Sequence, residues 1–127
     1  MSLEEYQEWT RTVAIYPRAT TGTFMPTNYC VDGLIGEAVD IANAWKKIIQ
    51  HPNVSHAESE DFLNSLTIEL GDVIWYAIRL ADELHIPLDL IMRTNIEKLE
   101  ERKRASGLVN FHHAGEPSNE NSSKVAP

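Results

Sequence analysis

The sequence predicts an all-α protein whose four main helices form an antiparallel bundle. Three observations carry this expectation. Apolar residues recur every three or four positions through long segments, the spacing of one helix face. Short runs containing Pro, Gly and Asn separate those segments. The chain is 127 residues long, which suits a single domain near the size where oligomerisation adds useful burial. The domain is expected over residues 1–111, with residues 112–127 as a polar, flexible tail.

Helix one is expected from about Leu3 to Ile15, opened by Ser2 and Glu5 at capping-box spacing, where each side chain satisfies an amide left free at the helix start. Tyr16-Pro17 then begins a loop containing Thr20, Thr21, Gly22 and Pro26. Helix two, from about Tyr29 to Gln50, lines up Leu34, Ile35, Ala38, Ile41, Trp45 and Ile48 on one apolar face, and His51-Pro52-Asn53 ends it. Helix three should start near Ala57 and reach Leu84. Its apolar residues cover more than half its circumference, a pattern typical of burial on two sides, by its own bundle and by a partner subunit. A homodimer or homotetramer is therefore expected. His85-Ile86-Pro87 breaks the chain before helix four, Leu88 to about Ala105, and beyond Gly107 the pattern fades.

The formal charge of −8 argues against a nucleic-acid polymer or an anionic membrane surface as the main partner, since both are bound through an excess of Lys and Arg. It leaves room for a small polyanion held through divalent cations. Cys30 is the single cysteine, and no Cys/His spacing resembles a zinc site. The N-terminal residues lack a basic segment followed by an apolar run, and no stretch approaches a membrane span. A cytoplasmic location is expected.

Two acid pairs are the candidate chemistry. Glu37 and Asp40, three apart, are neighbours on helix two, roughly 60° apart around its axis. They lie on the shoulder of the apolar face, where a cleft wall would be. Glu69 stands inside the stripe that Phe62, Leu66, Val73, Ala77 and Leu80 continue, where Leu would be the ordinary choice. An ionised carboxylate there must be paired, hydrogen-bonded or bound to metal. Asp72 follows it three residues later. One Glu-x-x-Asp is a common solvated pattern; two on adjacent amphipathic helices gather like charges that need a cation. Oxygen donors without His or Cys point to Mg²⁺, with Mn²⁺ as substitute.

Helix four offers the opposite charge. Asn95, Lys98 and Arg102 align with Leu88, Ile91 and Leu99, an arrangement able to clamp phosphate oxygens, although long cationic side chains also snorkel from such faces to water. Lys47 shares Asp40's side of helix two and is a weaker phosphate candidate. Trp75 and Tyr76 follow the second acid pair; their rings either stack on a base or serve the core.

These residues, in this order, resemble the MazG-like all-α nucleotide pyrophosphohydrolases, relatives of dimeric dUTPases and phosphoribosyl-ATP pyrophosphohydrolases. The likeness spans roughly Leu3 to Phe111. It rests on Tyr16-Pro17, on Gly33-Leu-Ile-Gly-Glu-Ala-Val-Asp40 with Lys46-Lys47, on Glu69-Leu-Gly-Asp-Val-Ile-Trp-Tyr76, and on Asn95-Ile-Glu-Lys-Leu-Glu-Glu-Arg102. The resemblance implies hydrolysis of a nucleoside triphosphate between its α and β phosphates, giving the monophosphate and pyrophosphate. It places Glu37, Asp40, Glu69 and Asp72 at metal-ligand positions, with Glu37, Glu69 and Asp72 catalytic, and Asn95, Lys98 and Arg102 at phosphate-binding positions. The family usually has Glu where this chain has Asp40, which shortens the reach by roughly 1.5 Å, one carbon–carbon bond. Compact phage-type members include enzymes acting on (d)GTP, which leans the expectation towards a purine deoxynucleotide and, for a phage-encoded chain, towards the host cytoplasm. The competing class is a non-catalytic helical dimerisation or adaptor module with its acids structurally paired. A di-iron carboxylate bundle is disfavoured, because only Asp82-x-x-His85 approaches its Glu-x-x-His pattern.

Overall fold

A computed structural model describes residues 1–50 and 60–107. Among these it contains four α-helices and no strand: α1 (Leu3–Thr12), α2 (Phe24–Gln50), α3 (Glu60–Glu83) and α4 (Leu88–Ala105). The segment His51-Pro52-Asn53, the expected start of helix three at Ala57 and the polar tail lie outside the described residues. The structure divides into two bodies, Met1–Ile91 and Met92–Pro127. The first holds α1, α2, α3 and the first turn of α4; the second holds the rest of α4.

α1 begins as its sequence requires. The Ser2 hydroxyl accepts from the Glu5 amide at 3.1 Å, and the Glu5 carboxylate accepts from the Ser2 amide at 2.6 Å, closing the capping box. The helix ends at Thr12, three residues short of Ile15, because Val13 leaves helical geometry while its amide bonds back to Thr10. α2 starts five residues earlier than its apolar periodicity suggests, at Phe24, and takes in Pro26. A proline is tolerated there because the first-turn amides have no intrahelical acceptor to lose.

α2 and α3 run antiparallel. Positions that rise along α2 meet positions that fall along α3: Gly33 meets Tyr76, Glu37 meets Glu69 and Trp45 meets Phe62 at a ring separation of 6.3 Å. A Cβ on Gly33 would overlap the Tyr76 ring, so this glycine sets how closely the two helices approach. α1 runs in the same direction as α3. Leu3 and Tyr6 pack against the cluster of Ile78, Ala81 and Leu88, while Arg11, two turns further on, reaches Asp82.

The buried centre of this body is polar. Arg79 and Glu83 are 0% and 1% exposed, alongside Thr10, Pro26 and Cys30. The Arg79 guanidinium donates to Asp82 Oδ2 at 2.7 Å and to the Tyr16 hydroxyl at 3.1 Å, and lies 3.5 Å from Glu83 Oε1. Asp82 is further held by Arg11 and Gln7, so the residue closest to a di-iron pattern is already fully engaged by cations. Glu83 Oε1 accepts from the Tyr16 hydroxyl at 2.7 Å and the Thr20 amide at 2.6 Å, and Oε2 accepts from the Gly22 amide at 2.9 Å. These bonds fasten the α1–α2 loop to the end of α3. The loop needs that fastening, since Arg18 and Thr20 adopt left-handed backbone with φ of 58° and 67°, which is strained for residues carrying a Cβ.

Burial pushes the Glu83 carboxyl up, but the Tyr16 hydroxyl, the Thr20 and Gly22 amides and Arg79 outweigh it and hold it below its usual range. Asp82 is likewise held low: burial raises it, and Arg11 and Arg79 more than reverse that. A carboxyl whose folded pKa is depressed stabilises the fold above its unfolded value and loses that contribution as pH falls through the folded one. Thermal scans should therefore show Tm level near neutrality and falling below about pH 4.5, the ordinary value for Glu. Arg79→Ala, which strands the two carboxylates, should lower stability in urea titrations by about 3–5 kcal/mol.

Candidate active site

About three turns before Arg79 on α3, the same antiparallel pair carries a second group of acids. Glu37 and Asp40 stand one turn apart on α2, and Glu69 faces them from α3. Each of the three can place a carboxylate oxygen within 4.8 Å of the other two. Glu37 and Glu69 are half-buried, and Asp40 is exposed. Asp72, the fourth sequence candidate, is exposed and lies outside this group, yet its charge is felt at Glu37. The Glu37 carboxyl is raised above its ordinary range by burial, then by the charges of Asp72 and Glu69, a hydrogen bond with Glu69 and the charge of Asp40. Asp40 thus joins the group despite its shorter side chain, while Asp72 acts on it from the side.

The group fits a hard divalent cation. Ligand oxygens around one Mg²⁺ lie roughly 3 to 4 Å apart, a spacing that small rotations of these side chains reach from 4.8 Å. All the donors are carboxylate oxygens, the set that favours Mg²⁺ or Mn²⁺ over Zn²⁺.

An aromatic series leads away from the acids. Tyr76 packs flat over Gly33, one turn before Glu37, and hydrogen-bonds with Tyr29. That bond, burial and the nearby charges of Tyr29, Glu37 and Asp72 push its hydroxyl up to about 12. Tyr29 sits 6.0 Å from Tyr76 between ring centres and stacks on Tyr16 at 4.8 Å. Trp75 meets Tyr16 and Tyr76 edge-on, at 6.2 and 4.9 Å. Of the two sequence candidates for base contact, Tyr76 therefore stands beside the acids, and Trp75 is turned towards Tyr16.

The remaining candidates are not among the three acids that come together. Lys47 is exposed near the end of α2. Asn95, Lys98 and Arg102 are exposed residues of α4 in the second body. Sequence reasoning gave Tyr16 only as part of a loop motif and passed over Tyr29, Arg79 and Glu83. A signal for the last two was present: Trp75, Arg79 and Glu83 recur at four-residue spacing, which puts two charges on one face of an otherwise apolar run.

A carboxyl that must ionise to bind metal competes with protons. Mn²⁺ titration by calorimetry should show affinity that weakens as pH falls, beginning above the ordinary Glu value of 4.5 because the folded Glu37 carboxyl is raised, and Glu37→Gln should flatten that dependence.

Residues 27–106 match the MazG nucleotide pyrophosphohydrolase domain, a span that includes every candidate named above except Tyr16. The chain is similar to the Gene 37 protein of Mycobacterium phage L5, with 38% identity over 105 residues covering 81% of this chain and 90% of that protein. No solved structure gives a significant match. The matched span covers α3, α4 and nearly all of α2 and carries both acid pairs, so the chain belongs to the MazG nucleotide pyrophosphohydrolase family.

Proposed function

We propose that the protein hydrolyses a (deoxy)nucleoside triphosphate at the α–β phosphate bond, releasing the monophosphate and pyrophosphate. The observation that carries this reading is the group of Glu37, Asp40 and Glu69, three carboxylates that come together, with burial and neighbouring acids raising the Glu37 carboxyl. These three would hold the metal, with Asp72 completing the acidic edge. When bound, Mg²⁺ or Mn²⁺ supplies positive charge against the phosphate oxygens and acidifies water. Glu37, whose proton affinity is raised by burial and by its acidic neighbours, orients the attacking water and takes its proton. Asn95, Lys98 and Arg102 bind the phosphates or the leaving pyrophosphate, with Lys47 in a lesser role. Tyr76 offers its ring to the base and Trp75 supports it. A purine deoxynucleotide, dGTP first, is the substrate to test, in the cytoplasm of the host for a phage-encoded chain.

The active form is a homodimer or homotetramer. Ile35, Val39 and Ile49 on α2 and Leu63, Ile68 and Ile74 on α3 are each at least half exposed in the single chain. So many exposed large apolar side chains on two helices favour association. The adaptor reading also needs this surface, but it gives no reason for unbalanced acids.

Purified protein with Mg²⁺ or Mn²⁺ should release pyrophosphate from a nucleotide panel, and Glu69→Gln should abolish release, by roughly 1000-fold or more, without unfolding. Full activity in that variant, or phosphate as the only product, refutes the reading. Light scattering should give a mass of two or four chains, and Ile68→Glu should shift it towards one.

A further inference from the structure

We propose that Glu83 is a positioning residue for the nucleotide: through Tyr16 it holds the Tyr29–Tyr76 ring pair at the edge of the acid group. The inference rests on the pyrophosphohydrolase reading and adds a determinant that lies outside the acid group and the α4 candidates. Glu83 stands 14 residues beyond Glu69, roughly 20 Å along α3, too far to serve as a metal ligand.

A carboxylate is a costly filler for a helix-bundle interior, because its desolvation must be repaid by bonds that an apolar side chain would not need. Its bonds here are specific. The two oxygens of Glu83 take the Tyr16 hydroxyl and two loop amides, those of Thr20 and Gly22. Gly22 is held where a Cβ would come within 2.8 Å of the Glu83 carbonyl oxygen, so loop and helix end are fitted closely. The Tyr16 hydroxyl is fixed from a second side by Arg79. With its hydroxyl anchored, the Tyr16 ring stacks on Tyr29 at 4.8 Å and 18° between planes. Tyr29, in turn, hydrogen-bonds with Tyr76, whose ring crosses Gly33 one turn from Glu37. Tyr29 keeps 44% of its surface exposed and Tyr76 stands one turn from Glu37 over Gly33, so the series leads from an open aromatic ring to the edge of the acid group, within reach of a planar group attached to bound phosphates. The sequence Glu83, Tyr16, Tyr29, Tyr76 therefore transmits the position of a buried carboxylate to the substrate side.

The test uses the full chain, as wild type, Tyr16→Phe and Glu83→Gln, with steady-state kinetics on the best nucleoside triphosphate, Mn²⁺ titration and amide hydrogen exchange. Tyr16→Phe keeps the ring and removes the anchored hydroxyl. It should raise KM roughly fivefold, the effect of one buried hydrogen bond, with kcat changed less than about twofold and Mn²⁺ affinity unchanged. Glu83→Gln should do the same and speed exchange of the Thr20 and Gly22 amides; if it does not fold, Tyr16→Phe decides alone. A wild-type KM in Tyr16→Phe overturns the proposal, as does a fall of kcat in step with Mn²⁺ affinity, which would mean that the acid group itself had been displaced. A wild-type protein that releases no pyrophosphate overturns the hydrolase reading first, a failure visible before any variant is compared.

Discussion

Arg79 is taken out of water on α3, and its guanidinium stays charged at any pH the protein meets. Every group around it answers that charge. Asp82 and Glu83 supply the counter-charge from the next turn, and the Tyr16 hydroxyl takes the Nε proton. Once Glu83 is committed to the interior, its other lone pairs need donors, and the loop between α1 and α2 provides them as the amides of Thr20 and Gly22. Asp82 draws in Arg11 and Gln7 and so fixes α1 along α3. The path of the chain from α1 to α2 is thus largely the solution to one buried cation.

α3 carries two charge clusters of opposite character. Near its C-terminal end, Arg79 and Arg11 face Asp82 and Glu83, and the signs cancel within hydrogen-bonding distance. Around Glu69, the acids Glu37 and Asp40 meet it, and the Glu37 carboxyl is raised, by burial first and by the neighbouring negative charges next. The first cluster is balanced in charge, with Arg79 Nη2 3.5 Å from Glu83 but making no hydrogen bond, and belongs to the fold. The second is incomplete, since like charges at such separation favour a proton or a cation between them. The two lie on one helix, so the rigid geometry that satisfies the first also sets where the second stands. Tyr76 and Gly33 keep α2 close enough for Glu37 and Asp40 to reach across.

The positions of the helices were largely legible in the residues. Ser2 and Glu5 announced the start of α1, the period of apolar residues located α2 and α3, and Pro87 with Leu88 opened α4. The start of α2 was misread because Pro26 was taken as a breaker, although at a first turn it costs no hydrogen bond. Glu69 drew attention because a carboxylate in an apolar stripe demands a partner. Arg79 and Glu83 give a weaker local signal, because near the end of a helix charged residues are ordinarily solvated.

The sequence by itself determined the all-α class, the helix order and the two acid pairs, because helical periodicity and i, i+3 spacing are local properties that survive without knowing what faces what. Which acids meet was decided only in three dimensions. Asp40 comes together with Glu37 and Glu69, and Asp72 stays outside, because the register of α2 against α3 is set by Gly33 under the Tyr76 ring. Tertiary structure likewise decided that Glu83 binds a loop more than sixty residues earlier in the chain. No spacing rule connects residues so far apart; a buried charge selects its partners by proximity, and proximity is a property of the folded chain.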